Sequence, residues 1–575
     1  MIDRLRCRCF RLPALPVGLI AAGLAGATPS AAQNEPPPIL AGQRAVPGTY
    51  DTGLDVLHYD IELALPDTAS WIVGRVAIRI RSRVSGPGEV VLDFTGLALD
   101  SVMLNGTTVD AVLENGRLHV PFGRALNEGD EVVAEVHYRG VPDDGLVLGR
   151  NAEGRPSAFV DNWPNRTRFW LPSVDHPSDK ATARFTVHAP AAWQVVANGR
   201  LVGQPYPTAP GTPGPAEGAR RTWNYRTELP HPTYTLVVGG TEMVVNSLGV
   251  SACGRAPASP RVDGCVESTT WLYPGSVATA SSSFRRAVEM VDFFADVVGP
   301  FPYEKLAHVQ SATRFGGMEN SSAIFYSEQA LRSGRNIEGT VSHEIAHQWF
   351  GDSVTPEDWS QLWLSEGFAT YFGAVFFEYA DGIPEFRRRM AAAGERYLTS
   401  SDTLLPVVNR DSQDLFDLLN RNSYQKGAWV LHMLRGLVGD EAFFEGIREF
   451  YRQHRHDTAT TDDFRSAVER ASGTDLRWFF DQWLYRPGYP VLEVETGPDP
   501  EAGGLQVTLR QVQGTYAPRF RLPVTLELYW GANRERRSVT LRGSEGVFRF
   551  PGVPSTARVT VDPDSWILKR LAGGL

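Results

Sequence analysis

Residues 341–371 read VSHEIAHQWFGDSVTPEDWSQLWLSEGFATY, and the rest of the chain is interpreted outward from this stretch. It contains His-Glu-x-x-His, in which His343 and His347 stand four residues apart. On a helix, side chains with this spacing leave the same face one turn apart, so both imidazoles can bind one small ion. Glu344 follows the first histidine directly and is free to act beside the ion rather than on it.

A third ligand is predicted from the spacing that follows. A structural zinc site closes its coordination with protein ligands, usually cysteines, whereas a catalytic site uses three and leaves one position to water. No cysteine lies nearby, and eighteen residues separate His347 from Glu366. A helix that ends at Gly351 and a second helix over about residues 360–379 would direct Glu366 back at the histidines. The stretch therefore predicts zinc on His343, His347 and Glu366, against the alternative of an amphipathic helix with hydrogen-bonded core histidines.

Two shorter motifs lie on either side of this stretch. Residues 315–320 read FGGMEN, in which Gly316 and Gly317 would let a substrate backbone approach closely before the carboxylate of Glu319. Tyr424 opens a predicted helix, and its hydroxyl is a candidate for stabilising an oxyanion. Taken singly, a glycine turn and a packed tyrosine are the plainer alternatives.

The N-terminus has the composition of a secretory signal peptide. Four arginines among the first eleven residues precede an apolar run over about residues 12–27, and a Ser-Ala-Ala cleavage signal ends at residue 32. Residues 1–32 are therefore predicted to direct export to the periplasm or the exterior, with no integral membrane span after cleavage. An uncleaved anchor that leaves the protein membrane-associated is the alternative.

Charge and cysteine content narrow the compartment and the partners. The formal net charge of −10 disfavours nucleic acid and anionic membrane surfaces as partners. Cys7 and Cys9 lie in the predicted signal peptide, so Cys253 and Cys265 remain. In an oxidising compartment these two are predicted to form a disulfide across a short surface loop, with free buried thiols as the alternative.

Hydrophobic periodicity divides the chain into three predicted domains, which together define an α+β multidomain fold. Residues 45–247 alternate apolar and polar positions, and Asn-Gly pairs at 105–106 and 115–116 indicate hairpin turns, so an antiparallel β domain is predicted. Residues 248–490 show mostly helical periodicity and hold the zinc motif. Residues 491–575 alternate again and predict a β-sandwich.

The combined pattern resembles the zinc aminopeptidases of the aminopeptidase N and leukotriene hydrolase type. Their signatures are Gly-x-Met-Glu-Asn, then His-Glu-x-x-His followed after eighteen residues by Glu, then Tyr-x-Lys-Gly, and all three occur here in order. The resemblance implies a β domain, a thermolysin-like catalytic domain and a β-sandwich. The large helical domain that often follows them in the family is not expected in this sequence. It implies a substrate-binding segment made of Gly316, Gly317, Met318, Glu319 and Asn320. Within that segment, Glu319 would bind the free α-ammonium group.

The predicted function is therefore a zinc aminopeptidase that carries one Zn²⁺ per chain and hydrolyses the first bond of peptides with a free N-terminus. Glu344 would be the general base toward a zinc-activated water, and Tyr424 would stabilise the oxyanion. A zinc endopeptidase and a catalytically silent envelope binding protein of the same fold are the alternatives. Two positions depart from the family pattern: Ser365 replaces the usual Asn before the third ligand, and Trp163 stands where many members have Gln. The resemblance therefore does not extend to substrate preference.

Overall fold

The computed structural model describes residues 53–67, 70–215 and 218–573. The predicted signal peptide, residues 1–32, lies outside these ranges. None of the helices within the described ranges combines the length and hydrophobicity that a bilayer crossing needs.

Strands dominate the first half of the described chain. They are β1 (Leu54–Ala64), β2 (Ile72–Ser82), β3 (Glu89–Asp93), β4 (Ala98–Leu104), β5 (Thr107–Thr108), β6 (Val112–Glu114), β7 (Arg117–Pro121), β8 (Glu131–Gly140), β9 (Leu146–Arg150), β10 (Pro156–Val160), β11 (Lys180–Pro190), β12 (Gln194–Ala197), β13 (Arg200–Leu201), β14 (Tyr206–Pro207), β15 (Arg220–Arg226), β16 (His231–Pro232), β17 (Val238–Thr241), β18 (Val244–Ser251) and β19 (Val266–Leu272). The main sheet has the order β13-β15-β11-β1-β2-β8-β4-β5, and smaller sheets β12-β17-β10-β9 and β3-β7-β6 accompany it.

The two Asn-Gly pairs form the hairpin turns that the sequence predicts. Asn105 and Gly106 have φ of 50° and 81°, and Asn115 and Gly116 have φ of 51° and 75°. Positive φ at both central residues is the requirement of a type I′ turn, which matches the twist of the strands on either side.

One strand pair departs from the predicted antiparallel arrangement. β1 lies antiparallel to β2 but parallel to β11, with Tyr59 opposite Ala183. Parallel neighbours need a long connection, and the chain between Ala64 and Lys180 supplies it. A period-two pattern reports that a segment is a strand, but it carries no information on the direction of its partner.

Helices carry most of the next part of the chain. They are α1 (Val277–Ala280), α2 (Ala287–Val297), α3 (Glu328–Arg332), α4 (Glu338–His347), α5 (Trp363–Asp381), α6 (Ile383–Leu398), α7 (Gly427–Val438), α8 (Asp440–His454), α9 (Thr461–Ser472) and α10 (Arg477–Leu484). Helix α9 starts with a capping box, in which the Thr460 side chain accepts from the backbone N–H of Asp463 while the Asp463 carboxylate accepts from the backbone N–H of Thr460.

A five-stranded sheet within the mostly helical region was not predicted. It joins β18 and β19 to β20 (Leu306–Ser311), β21 (Gly317–Met318) and β22 (Ala323–Ser327), in the order β18-β19-β20-β22-β21. β18 also crosses the predicted domain boundary at residues 247 and 248. Val309 and Phe325 pack into the core of the β-rich half, whereas Leu306 and Ile324 pack into the core of the helical half. Strands buried on both faces lose the alternation by which a strand is recognised.

The remaining strands are β23 (Val354–Pro356), β24 (Asp457–Ala459), β25 (Val491–Pro498), β26 (Leu505–Gln511), β27 (Leu522–Trp530), β28 (Asn533–Leu541), β29 (Glu545–Phe550), β30 (Arg558–Val561) and β31 (Arg570–Leu571). The last seven form two sheets, β29-β26-β25-β31 and β28-β27-β30. Val507 of one sheet and Leu526 of the other are buried in the same core as the helices.

Cys253 and Cys265 are disulfide-bonded, as predicted. They lie on the loop that joins the edge strand β18 to its neighbour β19 in the five-stranded sheet. The bond therefore closes a short loop at one edge of this sheet.

Candidate active site

Helix α4 presents His343 and His347 on one face, one turn apart. The helix ends at His347 and its C-cap residue is Gln348, so Gly351 does not act as its terminating glycine. Gly351 instead allows a close approach, since a Cβ at this position, where φ is 117°, would lie 3.0 Å from Nδ1 of His347 and would overlap the hydroxyl of Ser365.

Helix α5 brings Glu366 to the histidines from its first turn. A short 3-10 turn, Trp359–Gln361, precedes the helix, and the Asp358 carboxylate accepts from the N–H of Ser360 at 2.7 Å to start it. Gly373 allows the two helices to approach closely, because a Cβ there would lie 3.3 Å from the backbone nitrogen of His343.

The three predicted ligands converge on one point. Nε2 of His343 and Nε2 of His347 are 3.0 Å apart, and Oε2 of Glu366 lies 3.2 Å and 3.3 Å from them. Two imidazole nitrogens and one carboxylate oxygen are the donor set of a catalytic zinc site. The arrangement therefore fits Zn²⁺ on these three residues.

The surroundings of His347 favour a cation. Its Nδ1 lies 3.0 Å from the carbonyl oxygen of Phe350 and 3.1 Å from Oγ of Ser365, so a proton on Nδ1 would be held by Phe350 and would leave the lone pair of Nε2 for a metal ion. Burial alone lowers the pKa of His347, but the carboxylates of Glu366, Glu319 and Glu344 raise it to about 10. The three carboxylates therefore favour positive charge at this point of the pocket.

Glu344 lies beside the three predicted metal ligands but is not one of them. Its side chain is buried, burial raises the pKa of its carboxyl well above the usual value, and Oε2 finds no hydrogen-bond partner among the described residues. A methyl group at Gly317 would overlap this carboxylate, whereas a methyl group at Gly316 would meet open space. The absence of a side chain at Gly317 therefore leaves space for the Glu344 carboxylate. Of the two glycines, only Gly316 borders the open space that the predicted close approach of a substrate backbone requires.

Glu319 lies at the end of β21, close to the same point. Ligand atoms of Glu319, Glu344 and His347 all fall within 4.8 Å of one another, and burial raises the pKa of Glu319. Gln348 holds this segment against the end of α4, because its side-chain amide donates to the carbonyl oxygen of Glu319 at 3.0 Å. The structure does not bring Asn320 to the cavity: this residue is fully buried and is not among those that line it.

Tyr424 reaches the site from a single π-helical turn, Asn422–Lys426, that precedes α7. Its hydroxyl donates to Oε1 of Glu366 at 2.8 Å. Gly367 and Gly427 make this contact possible, since a Cβ at 367 would lie 2.9 Å from the Cα of Gly427. π-helical turns often occur at functional sites, and a helical pattern in sequence does not distinguish them from α-helix.

These groups surround a cavity of about 200 Å³. Its lining includes the three predicted metal ligands, then Glu344, Glu319 and Tyr424, and the apolar side chains of Trp163, Phe315, Met318 and Leu419. Sequence reasoning singled out Trp163 but missed Phe315, although that residue directly precedes the glycine pair. Leu419 lies in a loop without a recognisable pattern. Two histidines on one helix with a glutamate beside them are typical of zinc metallopeptidases.

Comparison with protein families gives the same class. Residues 56–235 match the Peptidase M1 N-terminal domain, and residues 283–483 match the Peptidase family M1 domain. The chain belongs to the M1 family of peptidases.

Individual relatives are similar over most of this chain. It is 27% identical over 473 residues to Probable aminopeptidase 2 of Sulfurisphaera tokodaii, covering 77% of this chain and 56% of the relative. It is 28% identical over 480 residues to Aminopeptidase N of Streptomyces lividans, covering 78% and 52%. The chain thus spans about half the length of these curated relatives.

Solved structures show a similar architecture. An M1 zinc metallopeptidase from Deinococcus radiodurans is 26% identical, superposes with a TM-score of 0.63, and is covered over 93% of its length by 75% of this chain. A mutant of that metallopeptidase has been solved bound to a Tyr-Ser-Ala substrate.

Proposed function

We propose that this protein is a zinc aminopeptidase that removes the first residue of peptides with a free amino terminus. The observation that carries the proposal is the position of Glu319. It places a carboxylate in the cavity in addition to the three donors and the candidate base Glu344. The hydrolytic step itself needs no further carboxylate, whereas recognition of the ammonium group of a peptide does.

His343, His347 and Glu366 would hold one Zn²⁺ per chain. When bound there, the ion would supply positive charge that polarises a substrate carbonyl and lowers the pKa of a water molecule. The hydrogen bond between His347 Nδ1 and the carbonyl oxygen of Phe350 would keep the imidazole in the orientation that binding requires.

Glu344 would act as the general base. Its carboxylate faces the same cavity as the donors and is held in place by packing against Gly317. A cation held by the three neighbouring ligands would lower the pKa of this carboxyl, so that from this position it could accept a proton from the attacking water and pass it to the leaving amine.

Glu319 would anchor the substrate. Pairing with the protonated α-amine fixes the first peptide carbonyl next to the donor set, so binding energy at the terminus is used for positioning. An endopeptidase gains nothing from this carboxylate, because the bonds that it cuts lie away from the terminus. Glu319 therefore favours the aminopeptidase over the endopeptidase alternative.

Tyr424 would stabilise the oxyanion. Its hydroxyl donates a hydrogen bond to Glu366, so it directly contacts one of the three proposed metal ligands. As negative charge develops on the substrate carbonyl oxygen, the hydroxyl can donate to that oxygen instead. The presence of donors, base and tyrosine together argues against a catalytically silent binding protein.

The names of the relatives support this assignment. Both curated relatives are called aminopeptidases, and the Deinococcus radiodurans metallopeptidase mutant was solved with a tripeptide substrate. A panel of fluorogenic aminoacyl substrates tests the proposal. We expect hydrolysis that a chelator abolishes and added Zn²⁺ restores, and an absence of hydrolysis with zinc bound would contradict it.

Two further parts of the proposal concern the whole chain. We propose that the protein is exported, because the predicted signal peptide precedes a disulfide-bonded loop. We also propose that the two sheets formed from residues 491–571 are a β-sandwich domain. Determining the first residue of the protein recovered from outside the cytoplasm tests export, since a start near residue 33 is expected.

A further inference from the structure

One part of the cavity lining is a continuous apolar wall. Trp163 lies with its ring at a steep angle to Phe315, with ring centres 6.3 Å apart, and to Phe416, 5.6 Å away. Leu419 extends this surface into the cavity. We call Trp163, Phe315 and Leu419 the apolar wall of the site. Its side chains offer contact area to another apolar group.

The charged side chains of the cavity are already committed. Those among the described lining residues are the metal donors, the candidate base Glu344 and the ammonium partner Glu319. None remains to pair with a charge on the side chain of the substrate's first residue. Burial of an unpaired charge is unfavourable, whereas each buried methylene is favourable. The wall should therefore discriminate against charged first residues.

Behind the wall, four charged side chains form a closed ring. Arg314 donates to Asp144 at 2.7 Å and to Asp161 at 3.1 Å. Arg166 donates to the same two carboxylates, at 2.7 Å and 2.9 Å. Each cation thus bridges both anions, and the ring carries no net charge. Paired charges of this kind can be buried without the cost of an isolated ion.

The ring is connected directly to the wall on two sides. Arg314 immediately precedes Phe315 in the chain, so its ion pairs fix the segment that leads into β21. Arg166 donates from Nε to the carbonyl oxygen of Trp163 at 2.7 Å, and its guanidinium lies 5.8 Å from the ring centre of Phe416. The ring therefore joins two segments that lie about 150 residues apart in sequence and holds their aromatic side chains side by side.

We infer that the apolar wall receives the side chain of the substrate's first residue and selects uncharged, apolar residues. In this inference, Arg314 is a positioning residue that holds the wall in place. The inference rests on the proposed aminopeptidase function and deepens it by naming the substrate class.

Substrate selection tests the first half. With the full chain loaded with zinc, kcat/KM for leucyl, methionyl and phenylalanyl substrates should exceed that for lysyl, arginyl and glutamyl substrates by about tenfold or more. Comparable values for the two groups would overturn the inference while leaving the aminopeptidase function intact. No hydrolysis of any substrate would overturn both.

Substitution of Arg314 tests the second half. Arg314→Met removes the ion pairs but keeps the length of the side chain. It should raise KM for a leucyl substrate about tenfold, with a smaller change for an alanyl substrate and little change in kcat. Arg314→Lys should recover part of the loss, because an ammonium can pair with one of the two carboxylates but lacks the planar fork that bridges both.

Arg168→Met is the matched control. Arg168 also bridges two aspartates, Asp93 and Asp175, at 3.2 Å and 3.1 Å, but it does not line the cavity. The leucyl-to-alanyl ratio of kcat/KM should stay near that of the unmodified protein in Arg168→Met, even where Tm falls. If Arg314→Met lowers Tm but leaves this ratio unchanged, or if both variants change it equally, Arg314 is structural only and the positioning role is overturned.

Discussion

The hydroxyl of Tyr424 donates to Oε1 of Glu366 at 2.8 Å, while Oε2 of the same carboxylate lies 3.2 Å from Nε2 of His343. One glutamate thus connects the candidate oxyanion group to the candidate metal donors. The contact depends on Gly367 and Gly427, whose backbones meet without side chains between them. Position and orientation of the phenol are therefore set by the fold before any substrate arrives.

Tyr424→Phe should lower kcat on the order of a hundredfold or more while KM changes little, because the hydroxyl acts only as charge develops on the carbonyl oxygen. Steady-state kinetics with a good aminoacyl substrate measures the effect. The matched control is Tyr516→Phe, which removes the hydroxyl of an exposed tyrosine outside the cavity and should leave kcat unchanged. A kcat close to that of the unmodified protein in Tyr424→Phe would assign this tyrosine to packing alone.

Gly317→Ala should lower kcat by about tenfold to a hundredfold, because the new methyl group overlaps the Glu344 carboxylate and a small displacement of a catalytic group is costly. Gly316→Ala is the comparison. Its methyl group meets open space, so any loss should appear in KM rather than in kcat. Equal losses of kcat in the two variants would contradict the assignment of Gly317 as the space for Glu344.

Glu344→Gln should retain about one zinc per chain and lose most turnover, because the proposed base is not a donor. His343→Ala should lose both the bound zinc and the turnover. Elemental analysis of the purified variants, together with turnover, measures the two properties separately. Loss of zinc from Glu344→Gln would show that its role has been assigned wrongly.

Chelation of the metal should lower Tm of the unmodified protein, because an ion that binds only the folded state stabilises it by mass action. The buried carboxylates around His347 should strengthen binding of the cation and so increase the shift in Tm. Thermal denaturation with and without chelator measures it, and His343→Ala should show no further shift. An unchanged Tm in the unmodified protein would argue against tight metal binding at these donors.

The convergence of His343, His347 and Glu366 could be predicted because it depends on local geometry. Four residues return a helical side chain to the same face, and eighteen residues suffice for a turn and a second helix. The Asn-Gly turns and the capping box of α9 were predictable for the same reason, since each depends on the conformational preferences of a few adjacent residues.

Features that depend on distant parts of the chain could not be predicted. The ion pairs of Arg314 with Asp144 and Asp161 join segments far apart in sequence, and a charge pattern does not name its partners. The role of Gly317 was also hidden, because a glycine reports only that space is needed and not which group fills it. The five-stranded sheet was missed since β20 and β22 are buried on both faces.

Glu319→Ala should raise KM and lower kcat/KM sharply for peptides with free amino termini, because the ammonium group loses its partner. The same substitution should have little effect on peptides that lack this charge. Kinetics with one peptide in free and N-acetylated form measures the difference. A variant whose kcat/KM for the free peptide matches that of the unmodified protein would remove Glu319 from substrate recognition.

Mass spectrometry of digests of such a peptide pair tests the aminopeptidase assignment most directly. The free peptide should shorten from its amino terminus one residue at a time, while the acetylated peptide should remain almost intact, because acetylation removes the charge that Glu319 binds and leaves a buried carboxylate without a partner. Internal cleavage of the acetylated peptide, at a rate comparable to cleavage of the free one, would contradict the assignment.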